Sequence, residues 1–140
     1  YTSLVHKLCF EITESSAIQN LKEAQEFVTE LKAFGCKLAL DDFGTGFSSF
    51  GYLKHLNVDY IKIDGSFVRD IIDDRFDRAM VAAINNIGKE MGIEIIAEYA
   101  ENASILKTLQ EMDVEYAQGY AIAKPMPIDK LDAYYSQAKA

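Results

Sequence analysis

Four short apolar runs in this 140-residue chain each end on ionisable groups, and a fifth ends on an amide. Residues 8–12 carry Glu11, with Glu14 just beyond. Residues 37–42 finish on the pair Asp41–Asp42, residues 59–64 hold Lys62 and Asp64, and residues 93–98 finish on Glu98, with Glu101 close behind. Residues 114–118 add the amide of Gln118. Carboxylates gathered around one lysine in a low-dielectric mouth repel one another unless cations lie between them. No Cys or His cluster accompanies these acids, so the donor set suits hard, oxygen-seeking Mg²⁺ or Mn²⁺ rather than structural zinc. Each group also has a plainer reading. Asp42 ahead of Gly44-Thr45-Gly46 could cap a turn, Lys62 inside Tyr60-Ile61-Lys62-Ile63 could snorkel to the surface, and Glu98 and Glu101 could simply open a helix. It is the repetition on four successive runs that favours a site. His6 and His55 lie away from these ends and receive no catalytic role.

The elements that must position these groups alternate. Apolar residues at helical spacing over 17–34, with Gly35 as a stop, predict a helix between the first two strands. A Gly/Ser-rich loop at 44–51 and a helical turn at 52–56 separate the second and third. Ser66 could cap a long helix running to about Gly88, with Phe67, Ile71, Ile72, Met80, Ala83, Ile84 and Ile87 on or near its inner face. Asn102 could cap a helix to about Met112, and a last amphipathic helix would start near Pro127. Strands spaced by helices, and apolar on both faces, predict parallel βα units, whose C-terminal rim is where ligands gather. About five such units are too few for a closed eight-stranded barrel of ~250 residues. The expectation is a small open α/β sheet or the C-terminal part of a larger barrel, with no linker dividing the chain.

Composition narrows the function. At 49% hydrophobic residues, with 8 Phe and 8 Tyr, the chain can build a core and is no disordered acidic tail. A net charge of −8, from 14 basic and 22 acidic residues, argues against a nucleic-acid polymer or an anionic membrane as partner. A phosphate ligand would require another source of positive charge, such as divalent metal. Cys9 and Cys36 are expected to be reduced, buried thiols, and the expected compartment is the cytoplasm, although a parent protein could be membrane-anchored.

Taken in order, Glu11-Ile12-Thr13-Glu14, Asp41-Asp42-Phe43-Gly44-Thr45-Gly46, Lys62-Ile63-Asp64, Ala97-Glu98-Tyr99-Ala100-Glu101 and Gln118-Gly119-Tyr120 resemble the successive motifs of EAL-domain phosphodiesterases. These bacterial enzymes hydrolyse the second messenger cyclic di-GMP to linear pGpG. The resemblance runs from about Leu8 to Pro127. It implies that residues 1–140 are a single partial domain, α/β in class: the C-terminal five or so units of a TIM-like (β/α)₈ barrel with parallel strands.

It also implies a two-metal site. Glu11 and Asp41 resemble ligands of the first ion, with Asp41 bridging and Asp42 resembling a ligand of the second. Lys62 resembles the cation that activates the attacking water, and Glu98 the general base or a metal-linked partner. Glu14 resembles the glutamate that fixes the glycine-rich loop, and Glu101 and Gln118 resemble supporting residues. An upstream sensory or GGDEF domain is a further expectation, and the open edges of an incomplete barrel sheet favour a homodimer. Two departures stand out. Tyr99 and Ala100 replace a usual Gly and Val, so the tyrosine is expected to crowd the site or alter the loop. The naming Glu-Ala-Leu and an Asn of the following strand do not occur in this sequence, which predicts that the chain alone is inactive. Two competing readings are a non-catalytic cyclic di-GMP receptor or interaction module, and a receiver domain. The receiver reading fits poorly, since no Lys ends the fifth strand.

Overall fold

The computed structural model describes residues 2–46 and 49–139. Five parallel strands, β1 (Cys9–Thr13), β2 (Lys37–Phe43), β3 (Tyr60–Ile63), β4 (Glu94–Ala97) and β5 (Tyr116–Ala117), lie side by side in chain order. Parallel neighbours need crossover connections, and helices supply them. These are α1 (Glu14–Gln19) and α2 (Leu21–Ala33), then α3 (Gly65–Arg69) and α4 (Arg75–Met91), then α5 (Ala103–Glu111). The connection from β2 to β3 carries instead a 3₁₀ segment at Phe50–His55. A last helix, α6 (Leu131–Ala138), follows the 3₁₀ turn Ile128–Lys130 and buries none of its residues.

The core explains which strands hold the centre. Leu38, Ala39 and Leu40 of β2 and Ile61 and Ile63 of β3 are buried, and so are Ile95 and Ala97 of β4. Val81 and Ile84 of α4 and Ile105 and Leu109 of α5 cover one face. In β1 the residues Cys9, Phe10 and Glu11 stay exposed, as expected of a strand with a neighbour on one side only. Cys9 is therefore exposed, contrary to the expectation, while Cys36 is buried; both are free thiols. Among the described residues no helix is long and apolar enough to cross a membrane.

Two expected helices are each two. The segment 17–34 starts earlier, at Glu14, where the Thr13 hydroxyl accepts from Ser16 N at 3.3 Å. It breaks at Asn20 (φ −144°, ψ 82°), whose side chain recaps the chain by accepting from Glu23 N at 3.2 Å. The expected Ser66–Gly88 helix opens instead under Asp64, which accepts from Ser66 N at 2.9 Å, and stops at Arg69. A turn through Asp70–Asp74 buries Ile71 and leaves Ile72 exposed, and Asp74 then starts α4 by accepting from Phe76 N and Asp77 N at 2.8 and 3.1 Å. Aspartate competes for backbone N–H groups, so three of them in five residues favour a stop and a fresh cap over a continuous helix.

Candidate active site

Lys62 sits at the sheet's C-terminal rim with its side chain 6% exposed. Its ammonium donates to Glu11 Oε1 at 2.8 Å, and Glu98 Oε1 and Asp41 Oδ1 lie 3.1 and 3.7 Å away. Strand register brings these groups together. Thr13 pairs with Asp41, Lys62 with Ile96 and Ile63 with Ala97, so the ends of four strands meet at one level. Burial by itself would push the Lys62 pKa down. The hydrogen bonds to Glu11 and Glu98, with the charges of Glu98 and Asp41, outweigh it and hold the pKa above the ordinary lysine value. The lysine is thus a buried, fully charged hub and no snorkelling surface residue. Glu98 shifts the other way from most paired carboxylates. Its burial raises the pKa, Asp41 and Asp42 add to the rise, and Lys62 offsets only part of it.

Consecutive residues of a regular strand point to opposite faces, so Asp41 and Asp42 would ordinarily part company. They do not, because the β2–β3 register slips between Leu40 and Phe43 and Asp42 takes a left-handed backbone (φ 54°). Asp41 Oδ1 accepts from Asp42 N at 2.9 Å and steadies this bulge. Asp41, Asp42 and Glu98 can each offer a carboxylate oxygen within 4.8 Å of the others. Desolvation, then the charges of Asp41 and Asp64, lift the Asp42 pKa. Three hard oxygen donors that strain against one another fit a divalent cation. Glu11 stands outside this trio, half-exposed and tied to Lys62.

Glu14 is 1% exposed and carries no cation. Its Oε2 accepts from Gly44 N at 2.9 Å and Gly46 N at 3.4 Å, and its Oε1 accepts from Tyr52 OH at 2.7 Å. This buried carboxylate therefore ties α1 to the glycine-rich loop that leaves Asp42. Burial, then Glu14 itself, push the Tyr52 phenol far up, so it stays a donor.

Beside the acidic trio opens a groove of about 460 Å³. Glu101 and Gln118, both exposed, line it together with Asp42, Asp64, Glu98 and Tyr99. Gln118 serves the groove's frame through its backbone: its N–H donates to Ala97 O at 2.8 Å and its carbonyl accepts from Ala100 N at 3.0 Å. Tyr99 stands at the site, lining this groove with its ring against Gly65 of α3. Arg69, to which the sequence gives no role, also lines the groove, as does Tyr120 of the Gln118-Gly119-Tyr120 motif. Arg69 gave no signal, because its place depends on where α3 stops.

Residues 1–125 match the family model described as EAL domain. The chain belongs to the EAL domain family. It is 49% identical over 121 residues to cyclic di-GMP phosphodiesterase PdeB of Shewanella oneidensis, covering 86% of this chain and 14% of that protein. Against cyclic di-GMP phosphodiesterase PdeF of Escherichia coli it is 43% identical over 122 residues, 87% of this chain and 16% of that one. Among solved EAL structures, the PaMucR phosphodiesterase in complex with c-di-GMP superposes with a TM-score of 0.86 at 34% identity, over 91% of this chain and 51% of that one. The FimX EAL domain of Pseudomonas aeruginosa bound to c-di-GMP gives 0.79 at 35% identity, over 84% and 48%. The chain thus spans about half of these solved chains and about a seventh of the curated relatives, and its five-stranded sheet is part of an EAL-type TIM barrel.

Proposed function

We propose that this EAL chain supplies part of a metal-dependent phosphodiesterase site that hydrolyses cyclic di-GMP. The observation that carries the reading is the convergence of Asp41, Asp42 and Glu98 beside one buried lysine at the rim of a parallel sheet. The donor chemistry suits Mg²⁺ or Mn²⁺, which Asp41, Asp42 and Glu98 would hold together with Glu11. Such ions supply an acidified water and shield the anionic diester from the acidic rim. The chain's own residues do the rest. Lys62 fixes Glu11 and Glu98 by hydrogen bonds and directs positive charge toward the point where an oxygen nucleophile would be deprotonated. Glu98, 3.1 Å from Lys62 and beside the two aspartates, is the carboxylate placed to accept the proton. Glu14 holds the loop after Asp42 at a fixed height. The bifunctional diguanylate cyclase/phosphodiesterase MucR, 35% identical over 124 residues, supports the expectation of a companion cyclase domain in the same protein.

Asp41→Asn in the full-length protein tests the reading, since it removes charge from a proposed metal ligand while keeping the side chain's size. Mn²⁺ affinity by calorimetry and pGpG formation by chromatography should both fall by at least tenfold. Unchanged metal binding together with unchanged turnover would overturn the assignment.

A further inference from the structure

Arg69 is the one cation lining the groove among the described residues, and it faces a wall that is otherwise acidic or neutral. Its guanidinium carbon lies 4.9 Å from the centre of the Tyr99 ring. That ring is held from two sides. Tyr99 has a left-handed backbone (φ 64°), a conformation a bulky residue keeps only when its surroundings enforce it. One turn before Arg69, Gly65 leaves the ring its space: a Cβ there would come within 2.8 Å of Tyr99 Cβ and Cδ2. Gly65 and Arg69 thus cradle the ring along α3, yet Tyr99 remains 47% exposed to the groove. A guanidinium stacked on an aromatic face keeps its N–H edge free and gives up rotamer freedom before any ligand arrives.

We infer that Arg69, positioned by Tyr99, reads the guanine base of the bound dinucleotide. This rests on the phosphodiesterase reading above and assigns base selection to residues that reading does not use. The argument is one of matching edges. Guanine presents two acceptors, O6 and N7, side by side, and the guanidinium fork donates to both; adenine puts an N6–H₂ donor where O6 would be. A lysine at 69 would keep the charge but not the fork.

The test is calorimetry of the full-length protein with cyclic di-GMP and cyclic di-AMP, without added divalent ion, alongside hydrolysis assays with Mn²⁺. Arg69→Lys and Tyr99→Gly should each weaken cyclic di-GMP binding about 10- to 100-fold and erode the preference over cyclic di-AMP. Tyr99→Phe should preserve both, because the ring and not the hydroxyl carries the contact. Retained Mn²⁺ binding in each variant shows that the site still folds. An unchanged guanine preference in Arg69→Lys overturns the inference, and loss in that variant with none in Tyr99→Gly overturns the positioning role. Binding of cyclic di-GMP without cleavage ends the phosphodiesterase reading and leaves this subsite standing; an unaltered protein that binds neither dinucleotide overturns both.

Discussion

Replacing Lys62 by Met keeps the aliphatic stem in the sheet and deletes only the ammonium. What remains is Glu11, Asp41 and Glu98 around an empty point, with Asp42 close by. Removing one partner of a buried ion pair costs roughly 3–5 kcal/mol when the other charge is left dry. Here the side chains of Glu98 and Asp41 keep 20% and 22% of their exposure and Glu11 keeps 48%, so water recovers part of the loss. About 2–3 kcal/mol at neutral pH is the expected destabilisation. The sign of its pH dependence follows from the shifts. Lys62 has a raised folded pKa, so its contribution is complete at pH 7 and would fade only as pH rose through that value. On the acid side the partners matter. Glu98 already has a raised pKa, and without Lys62 it rises further, so it takes up a proton first. The gap between Lys62→Met and the unaltered protein should therefore shrink between pH 7 and pH 4. Mn²⁺ should close it as well, by giving the orphaned carboxylates a cation. Urea unfolding of the full-length protein at pH 7 and pH 4, with and without Mn²⁺, measures all three effects. A loss that is the same at both pH values and indifferent to Mn²⁺ would mean that Lys62 acts through packing and not charge.

Three further outcomes are expected. Gly119→Ala should destabilise the β5 rim by roughly 1–3 kcal/mol in chemical denaturation, because the new Cβ would meet Ala100 N and O at less than contact distance and backbone cannot step aside. Glu14→Gln should lower turnover several-fold with little change in Tm, since the amide oxygen can still accept from Gly44 N but an NH₂ now faces the Tyr52 hydroxyl; loss of fold by circular dichroism would make Glu14 a core residue instead. The 140-residue chain incubated alone with Mn²⁺ and cyclic di-GMP should form no appreciable pGpG, because the resemblance assigns two ligands of the first metal to residues this sequence does not contain, and robust product would show that the chemistry needs fewer.

How much of this could be read in advance differs from residue to residue. Parallel strands and their C-terminal acids follow from local pattern: an apolar run such as Leu38–Leu40 is buried residue after residue, as in a strand with no solvent-facing side. That Lys62 is buried rather than snorkelling is not local. It depends on Glu11, 51 residues earlier, and Glu98, 36 residues later, arriving at the same level through strand register. The side on which Asp41 and Asp42 fall is equally hidden, since a strand period of two separates them and only the bulge reunites them. Helix ends are hidden where Asn20, Asp64 and Asp74 could either continue a helix or cap the next, and in the fold their side chains accept from Glu23 N, Ser66 N and Phe76 N.

Tyr99 shows what a departure from a family pattern can mean physically. At a position where a glycine is usual, a left-handed backbone costs nothing; a tyrosine there bears strain that something must offset. The offset is visible on a different element. Gly65 removes the one Cβ that would strike the ring, and Arg69, a turn later, lays a cation over it. Neither feature belongs to the metal-binding rim, and either alone would be ordinary. Together they turn an expected obstruction into a fixed aromatic wall, with a guanidinium standing beside the carboxylates and not among them. The Lys62 ammonium is locked between acids, whereas the Arg69 guanidinium lies beside the groove over an aromatic ring. Two cations set apart in this way leave Asp41, Asp42 and Glu98 as a set of oxygen donors whose charge a second lysine at the centre would have neutralised.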